Sequence, residues 1–216
     1  KKCTFAKQEI EFLGHTVSSS GISASDEKVH CVREFPRPKN TTELRGFLGL
    51  AGYYRRMIKG FAKTCAPFFN LLRKDVPYVW ESSHEDAFKD LKRKLTQSPV
   101  LAFPDYDRPF ELHTDACKYG VGAVLQQTVD GVTRPIAYAS KSLNTAQRNY
   151  SVTHLEFLAV IFGCQKFDVY LRYSHFKIVT DHKPLISMIN MKNETCGRVA
   201  RWLEILTMYD YDLEYK

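Results

Sequence analysis

Two short runs, Phe110–Thr114 (FELHT) and Phe176–Thr180 (FKIVT), alternate apolar and polar side chains with period two, and an aspartate follows each, Asp115 and Asp181. That alternation is the pattern of a half-buried strand. Between them, Leu155, Leu158, Ala159, Phe162, Phe167, Tyr170 and Leu171 recur mostly at helical spacing, with Glu156 near the head of the stretch. A carboxylate beside a core is thus expected on three separate elements. Burying such a group without compensation costs on the order of several kcal/mol, so buried acids titrate, pair with cations or bind metal. Neither aspartate has a Lys or Arg beside it, and Lys183 lies two residues beyond Asp181. Metal is the simplest compensation, and the three acids together suggest a metal-dependent nuclease.

Each acid also has a plainer explanation. An aspartate at a strand end is commonly a turn or cap residue. Thr153 stands three residues before Glu156, and Thr-x-x-Glu is the sequence of a capping box, in which the Glu reaches back to the N-cap amide.

The flanking pattern sets the fold class. Strands are expected near 109–115, 121–127, 133–139 and 176–181, and helices near 152–171, 183–190 and 197–208. Asp130-Gly131 marks a hairpin turn between the second and third strands. Three hairpin-joined strands followed by alternating helix and strand imply an α/β (α+β) mixed sheet with flanking helices. Gly120 and Gly122, at the start of the second strand, fit either turn geometry or a close backbone approach.

Upstream, residues 1–40 hold short apolar runs broken by Gly14, Ser18-Ser19-Ser20-Gly21, Pro36 and Pro38, read as a small strand pair and a loop. From Thr41 to Leu72 the apolar residues keep mostly helical spacing, giving one long helix or two short ones, with Asn40 and Glu43 as an N-cap pair. Arg45, Arg55, Arg56, Lys59 and Lys63 lie in this segment beside Tyr53 and Tyr54, as phosphate contacts or as a solvated face. Trp80 precedes a further helical stretch carrying Ala87, Phe88, Leu91 and Leu95, and Pro99 to Pro104 then mark a domain boundary.

The 216 residues, 44% of them hydrophobic, suffice for packed cores. A formal charge of +7 favours partners with phosphate backbones. Cys3, Cys31, Cys65, Cys117, Cys164 and Cys196 are scattered without a CxxC pair, the usage of reduced intracellular thiols. The longest apolar stretch, Phe157–Cys164, is too short to cross a bilayer, and the N-terminus lacks a signal pattern, so no membrane role is expected.

The blocks HTDACKYGVGAVLQQ (113–127), RPIAYASKSLNTAQRNYSVTHLEFLAVI (134–161), FKIVTDHKPL (176–185) and RVARWLEILTMYDYDLEY (198–215) resemble, in order, the RNase H domain of gypsy-type LTR retrotransposon Pol polyproteins. IEFLGHTVSSSGI (10–22) and ELRGFLGLAGYYRRMIKGFAKTCAPF (43–68) resemble the end of the reverse transcriptase that precedes it. The resemblance implies an RNase H-like mixed sheet over 105–216, preceded by the end of a palm (1–40), thumb-like helices (41–76) and a connecting segment (77–104). It implies that Asp115, Glu156 and Asp181 are metal-binding catalytic acids, and it makes His182 a candidate substrate contact.

Clustered acids suit this chemistry. Phosphodiester hydrolysis places negative charge on the attacking and the leaving oxygen, and two divalent ions about 3.5–4 Å apart stabilise both. Mg²⁺, or Mn²⁺, takes carboxylate oxygen and completes its shell with water and substrate phosphate. In this scheme Asp115 bridges the ions while Glu156 and Asp181 complete the site. The implied partners are an RNA-DNA hybrid or duplex and the rest of a Pol polyprotein: palm and fingers upstream, the remaining RNase H segment and integrase downstream. The family's fourth acid and its polymerase aspartates are then expected beyond Lys216 and before Lys1, so this stretch is expected to cleave weakly alone. Cytoplasmic virus-like particles, or the nucleus, are the expected location. The sequence departs from the family at Cys117, where Ser is usual, and at His154, where a second acid is common. A non-catalytic nucleic-acid-binding or tethering module is the alternative, and an integrase-like relative a weaker one.

Overall fold

The computed structural model describes residues 6–97, 99–191 and 197–216. It divides into two units, Lys1–Phe103 and Pro104–Lys216. Cys3 and Cys196 lie outside the described residues, while Cys31, Cys65, Cys117 and Cys164 are free thiols.

In the first unit, β1 (Glu9–Phe12), β2 (His15–Ser18) and β3 (Gly21–Ala24) form an antiparallel meander. The strand pair expected from the sequence thus gains a third strand. A helix, α1 (Asp26–Arg33), replaces most of the expected loop, its acidic first turn and basic last turn opposing the helix dipole. In α2 (Thr41–Tyr53) the Asn40 side chain accepts from the Glu43 amide at 2.9 Å, as the N-cap pair requires.

The apolar run after α2 does not continue as one helix. It breaks into a 3₁₀ turn (Arg55–Met57), α3 (Phe61–Thr64) and α4 (Phe68–Leu71). Gly60, in the left-handed region at φ 68, interrupts the helical backbone, and Pro67 precedes α4. In α5 (Ser82–Thr96) the face carrying Ala87, Phe88, Leu91 and Leu95 is buried, and Phe88 packs on Phe47 of α2 at 4.7 Å between ring centroids.

The second unit is a five-stranded sheet with flanking helices. Its strands are β4 (Phe110–Cys117), β5 (Gly120–Val129), β6 (Val132–Ser142), β7 (Phe176–Thr180) and β8 (Tyr211–Tyr215), in the order β6-β5-β4-β7-β8. The β6-β5-β4 ribbon is antiparallel, whereas β7 runs parallel to both β4 and β8. This is the mixed sheet that the sequence pattern implied. Asp130 and Gly131 both take positive φ, 53 and 78, as a primed two-residue hairpin turn demands.

The helix expected over 152–171 divides at Phe167 into α6 (Val152–Lys166) and α7 (Asp168–Leu171); α8 (Lys183–Ile189) and α9 (Gly197–Leu206) follow. Helix α6 lies on the sheet at close range. A Cβ at Gly163 would stand 3.1 Å from Leu112 Cδ1 and 3.2 Å from the Ala123 Cβ, so any larger residue would have to push these neighbours back by a few tenths of an ångström. Phe110, Leu112, Leu125, Phe176 and Ile178 of the sheet and Phe157 of α6 belong to the core that joins them. Among the described residues, no helix is long and apolar enough to cross a membrane.

Candidate active site

Two of the three acids lie on neighbouring, parallel-running segments, Asp115 in β4 and Asp181 just after β7. The parallel register of β4 and β7 runs from Phe110↔Phe176 to His113↔Val179. Pairing stops there, two residues short of Asp115 and Asp181, and both carboxylates lie near enough to Glu156 for their charges to act on it. Asp115 lies inside β4, which continues to Cys117, rather than at a strand end, and it faces Gly122 of β5. Asp181 immediately follows β7. Gly122 leaves the position opposite Asp115 without a side chain. Gly120 has another cause, because a Cβ there would meet the Lys141 carbonyl oxygen at 2.8 Å.

Helix α6 supplies the third carboxylate. Glu156 is only 6% exposed, and the Ala116 backbone amide hydrogen-bonds to it. Its Oε2 is buried and has no hydrogen-bond partner. Burial first, then the charges of Asp115 and of Asp181, push the Glu156 carboxyl up to about 7. The capping box expected of Thr153 and Glu156 is not formed. Ser151 is the N-cap: its hydroxyl accepts from the His154 amide at 3.4 Å and hydrogen-bonds to His154 Nδ1 at 2.7 Å. That start, two residues earlier, places Glu156 beyond the first turn, where it is free to face the sheet.

The desolvation expected at all three acids is realised only at Glu156, since Asp115 and Asp181 are exposed. Asp115 near the end of β4 and Asp181 in the bend after β7 stay in contact with solvent, whereas the helix pressed on the sheet buries Glu156. Among the described residues, none of the three forms an ion pair with Lys or Arg, and no group of three or more His, Cys, Asp or Glu side chains is arranged to hold a metal ion. The donor chemistry still suits a hard divalent cation: all the donors are carboxylate oxygens, and one of them is buried and unsatisfied. Mg²⁺ is usually held by one or two carboxylates plus water and substrate phosphate rather than by a closed protein cage.

His182 packs inward, with Nε2 2.9 Å from Thr153 Oγ1 and its amide donating to Thr180 Oγ1 at 3.1 Å. Arg45, Arg55, Arg56, Lys59 and Lys63 are exposed in the first unit, and Arg55 stacks over the Phe61 ring at 5.6 Å. Thr153 had no role as a partner of His182 in the sequence reading, because no local pattern links residues so far apart in the chain.

The pattern of the RNase H-like domain found in reverse transcriptase matches residues 105–209. Over its whole length the chain is 37% identical to the retrovirus-related Pol polyprotein from transposon opus of Drosophila melanogaster, of which it spans 23%. It is 36% identical to the Tf2-3 polyprotein of Schizosaccharomyces pombe and spans 16% of that protein. Its fold is similar to that of the foamy viral protease-reverse transcriptase solved in complex with an RNA/DNA hybrid, with a TM-score of 0.79 at 17% identity, covering 97% of this chain and 29% of that one. The same viral protein in complex with double-stranded DNA gives a TM-score of 0.77 at 18% identity, covering 97% of this chain and 45% of that one.

Proposed function

Residues 105–209 belong to the RNase H-like domains found in reverse transcriptase, and from that premise we propose that this chain hydrolyses the RNA strand of RNA-DNA hybrids, with Asp115, Glu156 and Asp181 as its catalytic acids. The observation that carries the reading is the buried, unpartnered Oε2 of Glu156, set beside two further carboxylates with no Lys or Arg paired to them among the described residues. A structural role would satisfy that oxygen. A cation site leaves it free.

The same three residues would hold divalent ions, Mg²⁺ or Mn²⁺, which when bound stabilise the negative charge that hydrolysis places on the attacking and leaving oxygens. Asp115 and Asp181 are exposed, so a phosphate can approach them from solvent. Glu156 closes the site from the core side, oriented by the Ala116 amide. With its carboxyl near 7, it offers a full charge only toward neutral and alkaline pH, so cation binding is expected to strengthen as pH rises past that value.

The relatives are large Pol polyproteins, so the domain is proposed to act as one part of such a protein during reverse transcription. Cleavage of a labelled RNA-DNA hybrid in Mg²⁺ tests the reading, using this chain and a longer Pol segment that contains it. Cutting by the longer segment that is abolished by Asp115→Asn is expected. Cutting that survives Asp115→Asn would place the site elsewhere, and tight hybrid binding without cutting in either protein would favour a non-catalytic binding module.

A further inference from the structure

The bend after β7 and the first turn of α6 are joined by one side-chain hydrogen bond, His182 Nε2 to Thr153 Oγ1 at 2.9 Å. On each side of that bond a carboxylate is close at hand. Asp181 is the residue before His182, and Glu156 stands three residues after Thr153, on the same face of the helix. His182 is itself pinned, because its amide donates to Thr180 Oγ1 and it occupies the N-cap position of α8, with Pro184 in the first turn. Neither end of the link is a loose side chain.

We propose that His182 is a positioning residue, which through Thr153 holds the start of α6, and with it Glu156, against the bend that carries Asp181, so that the two carboxylates can share a cation. The need for such a link follows from charge. The charges of Asp115 and Asp181 act against that of Glu156, and without a cation that repulsion would push the start of α6 away from them. The Ala116 amide restrains Glu156 from the β4 side. The His182–Thr153 bond restrains α6 from the β7 side, where no other side-chain hydrogen bond joins the two elements among those described. His182 Nε2 is already engaged by Thr153.

This inference rests on the reading of the three acids as a metal site, and the experiment separates the two. Mn²⁺ affinity of the whole chain is measured by electron paramagnetic resonance, with thermal stability and hybrid affinity in EDTA measured alongside. His182→Ala and Thr153→Val should each weaken Mn²⁺ binding about tenfold, the low end of what lost outer-shell partners cost a metal site. The double variant should be no weaker than either alone, because both remove the same bond. His182→Gln, whose amide can renew the bond to Thr153, should restore most of the affinity, and hybrid affinity in EDTA should be unchanged throughout. Losses that multiply in the double variant, or Mn²⁺ binding unchanged in His182→Ala, would overturn the proposal. A fall in hybrid affinity with Mn²⁺ binding intact would make His182 a substrate contact instead. Mn²⁺ binding unaffected by Asp115→Asn would remove the metal reading itself.

Discussion

Glu156 stores an electrostatic cost that the fold carries whenever no cation is bound. Its carboxyl, ordinarily near 4.5, is pushed up to about 7 by burial and then by Asp115 and Asp181. Between those two values the folded state binds more protons than the unfolded chain, so this group's contribution to stability falls as pH rises, and the penalty is complete above about 7. Glu156→Gln should therefore stabilise the metal-free protein at pH 8 by roughly 2–3 kcal/mol and leave it nearly unchanged at pH 4. Denaturant unfolding in EDTA at both pH values checks this, and a difference that does not vary with pH would refute the assignment. Mg²⁺ should raise the melting temperature of the wild-type protein at pH 8 and not that of the glutamine variant, since a ligand that binds only the folded state stabilises it.

Helix α6 delivers Glu156 because two faces of the helix are fixed. Underneath, Gly163 seats it tightly on Leu112 and Ala123. Gly163→Val should destabilise by about 1–3 kcal/mol through overpacking and weaken Mg²⁺ binding as the helix lifts. Gly163→Ala should cost less, because better helix propensity offsets part of the crowding. Above, α9 packs Trp202 edge-on against Phe157 at 5.2 Å and close to His154 at 6.2 Å, while Arg198 stacks over Tyr150 at 3.6 Å. Trp202 is buried, and Trp202→Ala should cost about 3–5 kcal/mol. An unfolding midpoint that does not move in either Gly163→Val or Trp202→Ala would show that α6 is held by something else.

At the scale of the molecule, the net charge of +7 and the exposed Arg45, Lys59 and Lys63 bear on how a nucleic acid would bind. Affinity for a hybrid should fall steeply with salt and change little with sequence, because neutralised phosphates release counterions. Replacing Arg45, Lys59 and Lys63 by alanine should flatten the salt slope by about one for each residue that touches a phosphate. A salt-independent affinity, or one confined to a single sequence, would count against backbone binding.

The elements of the second unit were legible because their signals are local. Period-two runs gave β4 and β7, helical spacing gave α6, and Asp130-Gly131 gave the hairpin. Where the reading failed, the deciding force was not local. The apolar residues of 41–72 fit one long helix or two short ones, yet Gly60 turns left-handed and the stretch after α2 divides into a 3₁₀ turn and two four-residue helices. The Thr153–Glu156 capping pattern was present in the sequence but lost to Ser151, which starts the helix two residues sooner. For the site, the sequence alone determined which three acids lie beside the core elements, since each acid adjoins its own periodic run. Only the tertiary structure decided that Asp115 and Asp181 are wet while Glu156 is buried, and that His182 bonds to Thr153. Register between strands and the depth of a helix on a sheet are set by packing among residues distant in the chain, and no short stretch of sequence encodes them.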